Sequence, residues 1–232
     1  MNDLTVIYYT ANFAHEEFTN ATRKQLLKSI GDTKLISVSQ KPMDFGENIC
    51  VGDIGRSQVN IYKQVLVGAR AAKTKYVALC EDDCLYTPTH FTTMRPDDDQ
   101  FAYNDNRWGL YTWTVPPIFS IKHRIVLSQC IAPRDLLIEC AEERFTRFPN
   151  EKKIPLYHFA EFGKYEHHMG ITVRKVVLFS SAEPTIMFSH PEAIGFSGLG
   201  ARKKHGDEKV AELPYWGSAE KILNEYYNKG LK

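Results

Sequence analysis

Leu4-Thr5-Val6-Ile7-Tyr8-Tyr9-Thr10 is an apolar and β-branched run without polar alternation, which predicts a strand buried on both faces. From residue 14 to residue 30 the pattern changes to helical spacing. Phe18, Ala21, Leu26 and Ile30 share a stripe, and Gly31 is a stop signal. Lys34 to Val38 is a second strand, followed by a loop with Pro42, Gly46, Gly52 and Gly55. Ser57 stands where it would cap a helix whose buried stripe is Val59, Tyr62, Leu66, Ala69 and Ala72. Tyr76 to Cys80 is a third apolar run, and it ends in Glu81-Asp82-Asp83. Strand, helix, strand, helix, strand is the order of a parallel α/β half with crossover helices.

The second half has a different texture. Residues 101 to 119 are aromatic and broken by Pro116 and Pro117. Pro133 opens a helix through Ala141, residues 149 to 157 form a loop, and Ala160 to Met169 has a helical pattern interrupted by Gly163. Ile171 to Phe179 and Thr185 to His190 are strands. A Gly-bearing basic loop covers 195 to 206, and Ser218 to Tyr227 is a final helix. With no repeat and no linker, one domain is expected: a nucleotide-binding half over about 1–100 and an acceptor half over about 101–232.

Composition narrows the classes. The 232 residues are 43% hydrophobic and 25% charged, ordinary for a globular chain, and the net charge of +1 favours neither nucleic acid nor a membrane surface. No apolar stretch has the length of a membrane span, and Leu4 to Thr10 is too short and too β-branched for a signal-peptide core. Five cysteines form no CxxC pair and no zinc spacing, which predicts reduced thiols and a cytoplasmic setting, a host's cytoplasm if the chain is phage-encoded. Cys80 and Cys84 are expected to be small buried residues.

The acid triplet changes the picture most. Three adjacent carboxylates cannot continue a core strand, so they mark where the chain leaves the sheet. Ligands of open α/β sheets bind beyond the carboxyl ends of the strands, where such acids suit a hard divalent cation that in turn holds phosphate. A solvated acidic turn is the plainer reading of the same run.

The order of parts resembles the nucleotide-sugar half of GT-A fold glycosyltransferases. Glu81-Asp82-Asp83-Cys84-Leu85-Tyr86-Thr87-Pro88-Thr89-His90-Phe91, then Tyr103-Asn104-Asp105-Asn106-Arg107-Trp108, is similar to segments of a phage and bacterial group with an acid-x-Asp (DXD-type) motif. Gln129 to Arg134 and His190 fit the same order. One departure is Glu81, where many relatives carry Asp. The resemblance implies a GT-A-like, mostly parallel mixed sheet flanked by helices. It also implies metal-dependent transfer from a nucleotide diphosphate sugar to an acceptor hydroxyl, by inversion.

On that reading Glu81 and Asp83 hold Mn²⁺ or Mg²⁺, and His190 is a third ligand or simply a strand end. Thr10, Asn12, Asp53, Arg56 and Asp82 contact the nucleotide, with ordinary turn chemistry as the alternative for the loop residues. Glu161 or Glu166 is the general base; five residues apart, they do not share one helical face. Tyr103, Trp108, Tyr111, Trp113 and Phe119 stack on a ligand or, more simply, fill the core. Arg202-Lys203-Lys204-His205 closes over a diphosphate, tracks a nucleic-acid backbone, or is a solvated face. The acceptor is a glycan, a protein, a small molecule or a hydroxymethylated DNA base. Two competing functions are a metal-dependent nucleotidyltransferase and a sugar- or nucleotide-binding module without turnover. The first expects a Gly-rich, basic segment near the N-terminus, and residues 8 to 16 contain no Gly, Lys or Arg.

Overall fold

The computed structural model describes residues 3–121, 123–150, 161–193, 206 and 208–228. The basic run at 202–205, most of the loop expected over 149–157 and all but the last residue of the one expected over 195–206 lie outside them.

The first half follows the sequence pattern closely. Strand β1 is Leu4–Thr10, helix α1 Glu16–Ile30, and strand β2 Lys34–Ser39. Strand β3, Glu47–Cys50, lies in what the sequence presents as loop. Helix α2 is Gln58–Ala71 and strand β4 is Tyr76–Glu81. Every residue of β1 is buried, as its unbroken pattern requires. The N-terminus of α1 is capped by His15, whose Nδ1 accepts from the Phe18 N–H at 3.3 Å, and Glu16 and Glu17 favour the positive end of the helix dipole. Ser57 caps α2 by accepting from the Asn60 N–H at 3.1 Å, a contact worth about 1 kcal/mol.

Strand β5 is Cys84–Leu85, helix α3 Pro88–Thr92, strand β6 Gln100–Asn104, strand β7 Arg107–Tyr111 and strand β8 Phe119–Ile121. Strand β9 is Cys130–Pro133, and helix α4 runs over Arg134–Arg147, longer than the sequence pattern suggests. Helix α5 is only Glu166–Met169, because Gly163 at φ +80° and Tyr165 at φ 57° turn the chain just before it. Strand β10 is Lys175–Phe179, so the expected strand from Ile171 begins four residues late; strand β11 is Thr185–Ser189. Strands β12 (Glu208–Val210), β13 (Glu212–Leu213) and β14 (Gly217–Ser218) precede helix α6, Ala219–Ile222, which continues as a π-helical turn over Leu223–Tyr227.

The main sheet has seven strands in the order β10-β6-β9-β4-β1-β2-β3. Strand β9 runs antiparallel to both neighbours and the remaining pairs are parallel. Residues alternate across it. Ile7, Tyr9, Val38 and Leu79 face α2 and α4, while Leu4, Val6, Tyr8 and Cys80 face α1 and α3. Gly68 lets α2 approach closely, since a Cβ there would stand 2.5 Å from Ile7 Cγ2. A second sheet, ordered β12-β8-β7-β11-β5, packs with α6 and Phe18 around a third apolar cluster. Tyr103 and Phe119 are buried in the core, as the core reading of the aromatic stretch predicts, Tyr111 is buried outside the core clusters, and Trp113 is 40% exposed. Cys80 and Cys84 are buried too. No helix among the described residues is long and apolar enough to cross a membrane.

Candidate active site

The parallel pairing of β1 with β4 sets Tyr9 opposite Glu81, so both strands end at one edge of the sheet. Side chains on β1 then hold the acid triplet. The Tyr9 hydroxyl donates to Glu81 Oε1 at 2.9 Å, and the Thr10 hydroxyl donates to the Asp82 carboxylate. Thr22 on α1 donates to the Asp82 carbonyl at 2.9 Å. Behind the triplet, buried Tyr86 accepts from the Glu81 N–H at 3.1 Å and donates to the Ser128 carbonyl at 3.0 Å. The strand exit is therefore fixed from both sides.

The second sheet brings in the remaining members. Strand β5 pairs antiparallel with β11, Cys84 opposite Met187, and the Phe188 N–H donates to the Asp83 carbonyl at 2.8 Å. This places His190, just past β11, with Nε2 3.7 Å from Asp83 Oδ2. Donor atoms of Glu81, Asp83 and Cys84 lie within 4.8 Å of one another. The Cys84 thiol donates to Asp83 Oδ1 at 3.3 Å, and burial holds it well above the usual thiol range, so it supports Asp83 as a neutral donor.

Crowding shows in the acidities. Burial, then the charge of Asp83, pushes Glu81 up to about 8; burial, then Asp83 again, pushes Asp82 up to about 6. His190 is 2% exposed; its Nε2 faces Asp83, while its Nδ1 lies on the other side of the ring, 3.9 Å from Glu192 Oε2. Two converging carboxylates, with an imidazole Nε2 turned toward one of them, form a donor set that fits a divalent cation.

The triplet opens into a cleft of about 750 Å³. Of the nucleotide contacts expected from sequence, Thr10, Arg56 and Asp82 line it. Arg56 stacks 3.5 Å above the centroid of the exposed Phe13 ring and donates to the Glu192 carbonyl, joining two loops across the cleft mouth. Asn12 and Asp53 are outside the lining. Asn12, at φ 52°, accepts from the Gln40 and Lys41 N–H groups at 2.8 and 2.9 Å, and Asp53 Oδ1 accepts from the Gly55 N–H at 3.0 Å. Asp53 thus holds a local turn, the ordinary chemistry of Asp in loops, whereas Asn12 ties the loop after β1 to the end of β2.

The two candidate bases separate cleanly. Glu161 lines the cleft, half-buried, with Lys164 Nζ 3.7 Å from its carboxylate. Glu166 is 1% exposed and lies outside the lining. Its Oε1 accepts from Arg144, Cys140 and the Gly163 N–H at 3.3, 3.2 and 3.0 Å, and its Oε2 from the Arg174 N–H at 2.6 Å. A carboxylate so fully engaged is a structural anchor, and of the two expected candidates Glu161 is the one that faces the cleft.

Several lining residues carry no separate signal in the sequence. Tyr9 looks like a core strand residue. Arg107, 5% exposed, looks like a polar strand start; yet it faces the cleft, with Nη1 3.5 Å from Met187 Sδ. Burial, then the nearby Arg124, lowers its pKa. Gln64 lies on the buried side of α2 and donates to the Thr10 and Val38 carbonyls at 2.8 and 2.9 Å, fixing the ends of β1 and β2.

No protein-family model matches the chain, and no curated protein matches it. Solved structures do. Residues 1–349 of S. aureus TarS, in complex with UDP-GlcNAc, align with a TM-score of 0.51 at 13% identity, covering 84% of this chain and 60% of that one. A glycosyltransferase involved in glycosylation of the major capsid of PBCV-1 aligns at 0.49 and 10% identity, covering 79% and 91%. A nucleotidyl transferase from Methanothermobacter aligns at 0.46 and 13%, covering 79% and 89%. The likeness to TarS, with the mostly parallel seven-stranded sheet, makes this a GT-A-like fold. The chain spans 60% of the length of that TarS fragment.

Proposed function

We propose that the protein is a metal-dependent glycosyltransferase that moves a sugar from a nucleotide diphosphate sugar to an acceptor hydroxyl with inversion. The observation that carries this reading is the convergence of Glu81 and Asp83 at the shared edge of β1 and β4, with His190 Nε2 3.7 Å from Asp83, facing a cleft large enough for a nucleotide sugar. The DXD-type motif is then Glu81-Asp82-Asp83. Glu81, Asp83 and His190 hold Mn²⁺ or Mg²⁺, and the mixed carboxylate and imidazole donors favour manganese. The bound cation supplies positive charge against the oxygens of the leaving diphosphate.

The chain's own residues do the rest. Thr10 keeps the Asp82 carboxylate turned toward the ribose, and Arg56 offers its guanidinium to the phosphates. Asn12 and Asp53 shape the loops that carry these groups. Glu161 takes the proton of the acceptor hydroxyl as its oxygen bonds to the anomeric carbon; the bond from that carbon to the diphosphate breaks, and the diphosphate leaves.

The test is a panel of nucleotide sugars and nucleoside triphosphates, with and without Mn²⁺. Cleavage of a nucleotide sugar that needs the cation and disappears in Asp83→Ala supports the reading. Turnover of triphosphates alone would replace it with nucleotidyl transfer, and binding without turnover would replace it with a recognition module.

A further inference from the structure

Strand β7 presents alternate residues to the two faces of the second sheet. Arg107, Gly109 and Tyr111 line the cleft, while Trp108 and Leu110 belong to the apolar cluster on the other face. Arg124, exposed and placed between β8 and β9, lines the same cleft. Its charge bears on both Arg107 and Tyr111, and all three line the one cleft. Gly109 keeps the floor between them open. A Cβ there would meet the Ser120 carbonyl at 3.4 Å and the Tyr111 hydroxyl at 3.6 Å.

A guanidinium held at 5% exposure and facing a fillable space is a strong receptor for anions, because little water screens it. Glu161 and Lys164, 3.7 Å apart, line the same cleft as Arg107. The basic floor therefore spans from the candidate base toward the acid triplet: Arg107 Nη1 lies 3.5 Å from Met187 Sδ, and Met187 pairs with Cys84, next to Asp83.

We propose that Arg107 and Arg124, with the Tyr111 hydroxyl, bind a phosphate group carried by the acceptor, beside the hydroxyl that Glu161 deprotonates. This rests on the glycosyltransferase reading. Paired guanidinium forks match phosphate oxygens, and the phenol adds another donor. The donor's diphosphate already has the cation and Arg56 at the cleft mouth to neutralise it, so the guanidiniums of the floor are left for the second substrate. The acceptor's phosphate is not itself transformed; it anchors the molecule. A small phosphomonoester and a phosphodiester within a polymer present the same oxygens.

The test pairs acceptors that differ in phosphate: glycerol against glycerol phosphate, and hydroxymethyldeoxycytidine against its monophosphate and against an oligonucleotide containing it. Transfer with Mn²⁺ is expected to be at least about tenfold more efficient in kcat/KM for the phosphate-bearing partner. Preference for the monophosphate identifies a small acceptor, and preference for the oligonucleotide a polymer. Arg124→Gln, at an exposed position, is expected to raise the acceptor KM about tenfold with the donor KM little changed. Equal efficiency without phosphate, or a matching rise in donor KM, overturns the proposal. Slow cleavage of the donor by water reports on the glycosyltransferase reading separately. If no donor is cleaved, or no acceptor of the panel is used, calorimetry with inorganic phosphate decides. Binding to the wild type that is lost in Arg107→Gln and Arg124→Gln supports the anion site; absent or unaltered binding rejects it.

Discussion

Tyr9 and Glu81 face each other across the parallel pair β1–β4, and the Tyr9 phenol donates to Glu81 Oε1 at 2.9 Å. The bond orients, and partly opposes the neutralisation of, a carboxylate that burial and the charge of Asp83 drive toward its neutral form. A ligand oriented by a neighbour binds a cation more tightly. Tyr9→Phe keeps the ring and removes the bond. Apparent affinity for Mn²⁺, measured by calorimetry or by activity against metal concentration, is expected to fall about tenfold. Unchanged affinity would show that Tyr9 fills space and nothing more.

Glu161 and Glu166 should respond in opposite ways. Arg144 and Glu166 are both essentially buried and 3.3 Å apart. Glu166→Ala leaves a buried guanidinium without its carboxylate and is expected to cost about 3–5 kcal/mol in urea unfolding. Glu161→Gln, in the half-buried cleft wall, is expected to leave stability within about 0.5 kcal/mol and to slow transfer by about 10²–10⁴-fold. A large stability loss in Glu161→Gln with turnover intact would reverse the assignment.

Gly68→Ala tests the packing that holds β1 under α2. The added methyl would lie 2.5 Å from Ile7 Cγ2 and 3.2 Å from Val38 Cγ2. Both neighbours are β-branched and cannot swing away freely. The expected cost is about 1–3 kcal/mol in thermal or urea unfolding, against a gain of up to about 1 kcal/mol if the space were open.

His90 predicts an acid sensitivity of the fold. It is fully buried, and burial alone lowers its pKa to about 3. Its Nδ1 lies 3.1 Å from the Asn104 amide nitrogen, which suits the neutral ring with Nδ1 as acceptor. In the unfolded chain His90 protonates near its ordinary value of about 6.5. Below that pH the unfolded state binds the extra proton, so stability is complete above it and is lost as pH falls toward about 3. From pH 7 to pH 5 this one group should remove about 2 kcal/mol. Comparing urea unfolding of the wild type and His90→Gln at both values checks it, since the variant should lack that share of the slope.

The parts legible in sequence are those whose pattern depends on burial alone. Strand β1, helix α1 and helix α2 show their period because their cores are one-sided or complete, and Ser57 and Gly31 mark ends by local chemistry. Strand β3 escapes because it is a half-exposed edge strand. It is tied to β2 partly through Asn48, whose amide donates to Ser37 Oγ and Ser39 Oγ at 2.9 and 2.8 Å, and no hydrophobic alternation reports that. Strand β9 is four residues long and antiparallel, with pairing set by distant β4 and β6.

The same division holds at the site. The acid triplet announces itself because carboxylates cannot extend a core strand. The distinction between Glu161 and Glu166 depends on Gly163 and Tyr165 at positive φ, which turn one acid to the cleft and the other inward. Arg107 acquires meaning only once the pleat of β7 shows which of its faces lines the cleft.

The most direct test of the central claim is binding of a nucleotide sugar panel, followed by calorimetry with and without Mn²⁺, for the wild type and for Asp83→Ala. The account predicts that one donor binds tightly only with the cation, and that Asp83→Ala abolishes this dependence along with turnover. Donor binding and turnover that are the same without Mn²⁺ and the same in Asp83→Ala would contradict it.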